Sequence, residues 1–106
     1  MSMTTTLSMS TLEQLSPLIR VFGHPLRLRI LDFLETTKKP QRVTEIVAVS
    51  EGAQQAIVSQ QLKIMRELGI LNAERHGNCV YYSIKDQESI YFLDCIRRFD
   101  TQSPNV

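Results

Sequence analysis

The chain has 106 residues, of which 42% are hydrophobic, and a formal net charge of +1. That length fits one domain with a modest core that dimerisation would extend, and no apolar run nears the roughly 18 residues of a membrane span. The start, MSMTTTLSMS, lacks the basic region and long apolar segment of a secretory signal, so a cytoplasmic location is expected. The two cysteines are then expected to be reduced thiols, and no C-x-x-C zinc spacing is present.

Residues 1–9, rich in Ser, Thr and Met, read as a loose tail. Ser10-Thr11-Leu12-Glu13 matches a capping box, and Leu12, Leu15, Ile19 and Phe22 follow at helical spacing. Pro17 falls inside this first helix and is expected to delay its start to about Ser16. Gly23-His24 breaks the pattern, His24 as a helix cap and packing residue, before Pro25, which suits a first helical position. A second helix is expected to about Glu35, burying Leu26, Ile30, Leu31 and Leu34. Thr36 to Gln41, with Lys38, Lys39 and Pro40, reads as a basic loop.

The stretch from Val43 to Leu71 organises the rest. A short amphipathic helix is expected over Val43 to Val49 and a turn over Ser50-Glu51-Gly52-Ala53. A longer helix follows from about Gln54 to Leu68, with Gly69 just past its end. Val58, Leu62, Met65 and Leu68 recur at spacings of four, three and three, one buried stripe. The opposite side then carries Ala56, Ser59, Gln60 and Lys63, and no carboxylate lies between Gln54 and Arg66 to repel phosphate. Glutamine pairs with an adenine edge, serine with several bases, and lysine with phosphate or guanine. Two helices joined by a glycine-containing turn, the second with an amide-rich outer face, resemble a helix-turn-helix reader.

Beyond Gly69, residues 70–75 and 79–84 read as two strands joined through His76-Gly77-Asn78, since Gly-Asn tolerates positive φ. Val80, Tyr82 and Ile84 would share one face of the second strand. The tip carries Arg75, His76 and Asn78, a wing beside a DNA backbone. Asp86 starts the last helix, whose stripe of Phe92, Leu93, Ile96 and Phe99 is more than one small domain covers. Residues 100–106 are expected to fray. Residues 20–85 carry ten Lys/Arg against six Asp/Glu, whereas residues 86–106 carry two against four, so positive charge gathers on the helix-turn-helix and wing.

Four segments together carry a family resemblance: Phe22 to Leu31, Val58 to Lys63, Arg66 to Leu71 and Val80 to Ile84. In their order and spacing they resemble the ArsR/SmtB family of small bacterial repressors, over about residues 12–99. The resemblance implies a mainly α winged helix-turn-helix, ordered α-α-α-α-β-β-α, with one domain over residues 10–99. It also implies a homodimer that binds double-stranded operator DNA and releases it on a signal. Operator contacts would fall on Gln54, Gln55, Ser59, Gln60 and Lys63, with Arg75, His76 and Asn78 at the backbone or minor groove. The dimer interface would use Leu12, Leu15, Ile19, Phe92, Leu93, Ile96 and Phe99, because the family pairs its first and last helices across the dimer axis. Gln54 stands where the family often has a serine cap, and the preceding turn is one residue longer than usual.

The signal is not given by the residues. Family members that hold thiophilic metals use cysteines near the places of Arg42 and Thr44, which do not ligate a soft metal. The last helix has Asp86, Glu88 and Asp94 but no histidine, so the family's zinc site is missing as well, and no metal or cofactor is expected. Cys79 and Cys95 are either small packing residues or a thiol sensor, although the family's dithiol between its second and last helices does not carry over. Three readings stay open: an operator-binding repressor, with or without thiol sensing; a winged helix used only for protein interaction; and an enzyme. The last is disfavoured, with no phosphate-binding glycine loop and no nucleophile paired with a base.

Overall fold

The computed structural model describes residues 5–101. Its elements in chain order are α1 (Met9–Phe22), α2 (Pro25–Thr37), β1 (Gln41–Arg42), α3 (Val43–Ala48), α4 (Gln55–Glu67), β2 (Leu71–His76), β3 (Cys79–Ile84) and α5 (Gln87–Thr101). The strands form one antiparallel sheet in the order β1-β3-β2. Among the described residues no helix is long and apolar enough to cross a membrane.

α1 starts earlier than the capping box at Ser10 suggested. Ser8 is its N-cap, and its hydroxyl accepts the Thr11 backbone N–H at 3.2 Å. With that cap in place the helix runs through Pro17, losing only the bond the proline nitrogen has no hydrogen to donate. Of the expected N-terminal tail, residues 1–4 lie outside the described residues, and Met9 is already helical. At the other end α5 extends to Thr101, and residues 102–106 lie outside the described residues.

His24 is the N-cap of α2 by backbone geometry, but its side chain makes no cap hydrogen bond and is exposed, so it neither caps nor packs as expected. Pro25 opens α2 as the sequence indicated. The helix continues two residues past Glu35 and ends where Lys38 turns left-handed, at φ 58°. The basic loop is therefore shorter than expected, and its far end is β1. Gln41 pairs with Tyr82 and Arg42 with Tyr81, so the two-residue strand closes the free edge of β3. Gln41 is buried there.

The core joins helices from both halves of the chain. Val21, Ile30, Leu31, Leu34, Ile46, Val58, Leu62, Met65, Ile70, Leu71 and Leu93 form one buried cluster, with Leu26, Phe22, Tyr82 and Ile84 packed on its margin. Each fully buried aliphatic side chain contributes roughly 1.5–3 kcal/mol, so the three buried apolar positions of α4 alone fix that helix against the body. Leu93 is 3% exposed and belongs to this core, which removes it from the expected dimer interface. Leu68 is the opposite correction, being 51% exposed. α4 stops at Glu67, Gly69 takes φ 81°, and Ile70 N–H reaches the Met65 carbonyl while Gly69 N–H reaches that of Arg66, both at 3.0 Å. That cap swings Ile70 into the apolar site the helical spacing assigned to Leu68.

α5 starts after Asp86, which accepts the fully buried Ser89 hydroxyl at 2.8 Å. Arg97 then ties α5 to α2, reaching Asp32 at 2.6 Å and Glu35 at 2.9 Å. These anchors decide which side of α5 faces inward.

Candidate nucleic-acid interface

The helix-turn-helix is built from local chemistry at its entry and its turn. At the entry, Arg42 N–H donates to the Glu45 carboxylate at 2.8 Å, fixing the first turn of α3. That bond, with the Arg42 guanidinium adding its charge, holds the Glu45 carboxyl below the ordinary glutamate range. At the exit the buried Ser50 hydroxyl donates to the Ile46 carbonyl at 2.6 Å. Glu51 and Gly52 then take φ of 48° and 89°, two consecutive left-handed residues that reverse the chain. The glutamate tolerates this with its carboxylate held by Arg29 of α2 at 3.2 Å.

α4 begins with Gln54 as N-cap, extended in backbone but making no side-chain cap bond. With 13 residues the helix is about 20 Å long, a size the DNA major groove admits. Val58, Leu62 and Met65 hold its inner side at 0% exposure. Gln54, Gln55, Gln60 and Lys63 stand exposed on the other side, with Ser59 half-buried at the margin. Lys63 makes no ion pair among the described residues, so its charge is available to a phosphate.

The sequence reading missed one residue that positions this face. Gln61 is 8% exposed, and its side-chain oxygen accepts the Arg27 Nε–H at 2.6 Å. A charge-assisted bond of this kind is worth about 1.5–3 kcal/mol when water is kept away, and it sets the roll of α4 on α2. The signal was available, since Gln61 lies three residues after Val58 and four before Met65, inside the buried stripe.

The wing forms as expected, with β2 starting at Leu71 because Ile70 serves the helix cap. His76 pairs with Cys79 across a two-residue turn, Gly77-Asn78, and Gly77 supplies φ 65°. Arg75, His76 and Asn78 are all exposed. Arg75 has no ion pair among the described residues, but His76 Nε2 lies 3.2 Å from Glu74, and its ring meets Tyr81 edge-on at 5.6 Å. A carboxylate at the tip makes Arg75 the stronger phosphate ligand of the two.

Arg42, paired with Tyr81 in the sheet, has its pKa raised above the ordinary arginine value by the neighbouring Cys79 near the wing tip and by Glu45. Both cysteines are free, Cys79 half-buried and Cys95 exposed. Among the described residues no three His, Cys, Asp or Glu side chains cluster as metal ligands.

Away from this face, α1 and α5 carry several exposed apolar side chains. Leu12 is 42% exposed, Ile19 55%, Ile96 40% and Phe99 76%, joined by Tyr91 at 62%, which the sequence reading left out. Leu15, Tyr91, Phe92 and Cys95 line a shallow cleft of about 180 Å³ that links the two helices. Phe92 is half-buried, its ring 4.7 Å from that of Phe22, so it serves the single chain as well.

A two-helix reader with an outward amide face, followed by a β-hairpin whose tip carries a free arginine, defines a winged helix-turn-helix of the DNA-binding class. Residues 24–73 match the family model described as "Bacterial regulatory protein, arsR family". The HTH-type transcriptional regulator Rv0081 of Mycobacterium tuberculosis is 35% identical over 79 residues, covering 74% of this chain and 68% of that protein. The solved structure of the AntR antimony-specific transcriptional repressor superposes with a TM-score of 0.78 at 26% identity, covering 94% of this chain and 91% of that one. The homodimeric winged helix-turn-helix DNA-binding domain of Mb0332 from Mycobacterium bovis shares the fold, with a TM-score of 0.72 at 20% identity over 99% of this chain and 94% of that one. The chain belongs to the ArsR family: it is a DNA-binding transcriptional regulator and not an enzyme.

Proposed function

We propose that the chain works as a homodimeric repressor that binds an inverted-repeat operator and releases it on a signal. Gln54, Gln55, Ser59, Gln60 and Lys63 would enter the major groove, with Arg75, His76 and Asn78 on the flanking backbone or minor groove. The observation that carries this reading is the division of α4. Three fully buried apolar side chains and the buried Gln61 fix the helix, while its outer face offers amides and one unpaired lysine with no carboxylate before Glu67. Dimerisation is supported by the exposed apolar side chains of α1 and α5, Leu12, Ile19, Ile96 and Phe99, and by the cleft between those helices that half-buried Leu15 and Phe92 help to line. The homodimeric relative from Mycobacterium bovis supports the same assembly.

The test is selection of bound sequences from random duplex DNA, repeated with the Gln60→Ala, Lys63→Ala double variant. Wild type should enrich an inverted repeat, and the variant should enrich nothing while keeping its helix content and oligomeric state. Retained specificity in the variant would place the reading face elsewhere on the molecule.

A thiol signal is a second reading, favoured by one juxtaposition. Cys79, beside the turn of the wing, lines one cleft together with the cationic Arg42. Selection with reduced, oxidised and persulfide-treated protein separates the two readings. Loss of the repeat on treatment supports a sensor, and the same repeat in all three states removes it.

A further inference from the structure

One apolar side chain does not fit the polar surface around it. Ile57 is 45% exposed in the first turns of α4. The other exposed large apolar side chains of the described residues lie on or just before α1, on α5, or at Leu68 beyond the end of α4. Leu12, Ile19, Ile96 and Phe99 belong to the surface proposed for dimerisation, and Met9 and Tyr91 lie on the same two helices; Ile57 belongs to neither those helices nor the core. Its neighbours are Ala56, also exposed, and Gln60, three residues on and therefore beside it on the helix.

We infer that Ile57, with Ala56, is a specificity-determining contact that docks on a thymine C5-methyl group in each operator half-site. This rests on the operator-reading role proposed for α4. The major groove offers apolar surface chiefly at thymine methyls, and residues near the N-terminus of a recognition helix are those that reach base edges. An isoleucine next to a glutamine matches the two features of one A·T pair or of adjacent pairs. The glutamine amide takes adenine N6 and N7, while the branched side chain covers the methyl on the thymine. A cytosine there would present an amino group to an aliphatic side chain unable to accept it.

Deoxyuridine lacks only that methyl, which makes it the probe. In competition binding at one fixed salt concentration, each thymine of the selected half-site is replaced in turn by deoxyuridine, with wild type and Ile57→Ala compared. At one thymine per half-site the wild type should lose about fourfold in affinity, and about sixteenfold with both half-sites replaced, as expected for losing one buried methyl per site. Ile57→Ala should bind the natural operator more weakly and show no further loss on that replacement. Indifference of wild type to deoxyuridine at every position, or an equal loss in the variant, overturns the inference. In that event the Gln60→Ala, Lys63→Ala selection shows which argument failed. If specificity is lost there, the reading of α4 stands and only the methyl contact falls; if it is retained, or if wild type enriches no sequence, both fall. Because Ile57 is only half-buried, its replacement should lower the melting temperature by no more than a few degrees, leaving the variant folded for the binding assay.

Discussion

Ile19→Asp separates the assembly from the fold more cleanly than any other single change. Ile19 is 55% exposed on α1, so one chain by itself loses little from the substitution. If α1 and α5 meet a second copy, symmetry buries both copies of the side chain at once. Completing the burial of a half-exposed isoleucine is worth about 1 kcal/mol per copy, so about 2 kcal/mol is lost from the interface. Two aspartates forced into an apolar contact without partners add a desolvation cost of at least a similar size. The sum, about 4 kcal/mol or more, raises the dimer dissociation constant by about a thousandfold. Sedimentation equilibrium over a range of concentrations measures this shift directly, and circular dichroism under monomeric conditions should show wild-type helix content. Unchanged self-association would refute the placement of the interface. An unfolded variant would refute the premise that Ile19 is dispensable to the single chain.

Phe92→Asp should do more than Ile19→Asp, weakening the dimer and also lowering the melting temperature of the monomer, because Phe92 rests on Phe22 at 4.7 Å. Met65→Ala removes a fully buried side chain and should cost about 2–5 kcal/mol in urea unfolding, with DNA binding recovered at low temperature. Lys63→Ala and Arg75→Ala should each weaken binding and reduce the slope of log affinity against log salt by about two per dimer, one for each copy, since both charges are free to meet phosphates. Glu35 is held below its ordinary value of 4.5, first by its hydrogen bond to Lys38 and then by the Arg97 charge, which together outweigh its partial burial. A depressed carboxylate stabilises the fold above its unfolded pKa, and that stability is lost as pH falls through the folded one. Unfolding free energy should therefore decline below about pH 4.5, and Glu35→Gln should flatten that decline.

Much of the geometry of the candidate interface was legible because its causes are local. Spacing of four and three from Val58 to Met65 defines a buried stripe wherever that helix packs, and the outward positions follow from helical geometry alone. Gly77-Asn78 between two β-prone runs fixes the hairpin and its register, because few other residues accept the backbone required there. Gly69 marks the end of α4 for the same reason.

What the chain sequence did not decide depends on partners distant along it. β1 is two residues long, too short to carry a pattern, and exists because the edge of β3 was open to Gln41 and Arg42. The buried state of Gln61 depends on Arg27, 34 residues earlier, which turns a polar side chain on a helix face into a fixed strut. Leu93 and Phe99 share one apolar stripe, yet one is 3% and the other 76% exposed. Helical spacing marks both as apolar, but only the docking of α5 on α2, held by Arg97 against Asp32 and Glu35, decides which faces the core. Periodicity assigns a face to a helix; long-range contacts decide what that face meets.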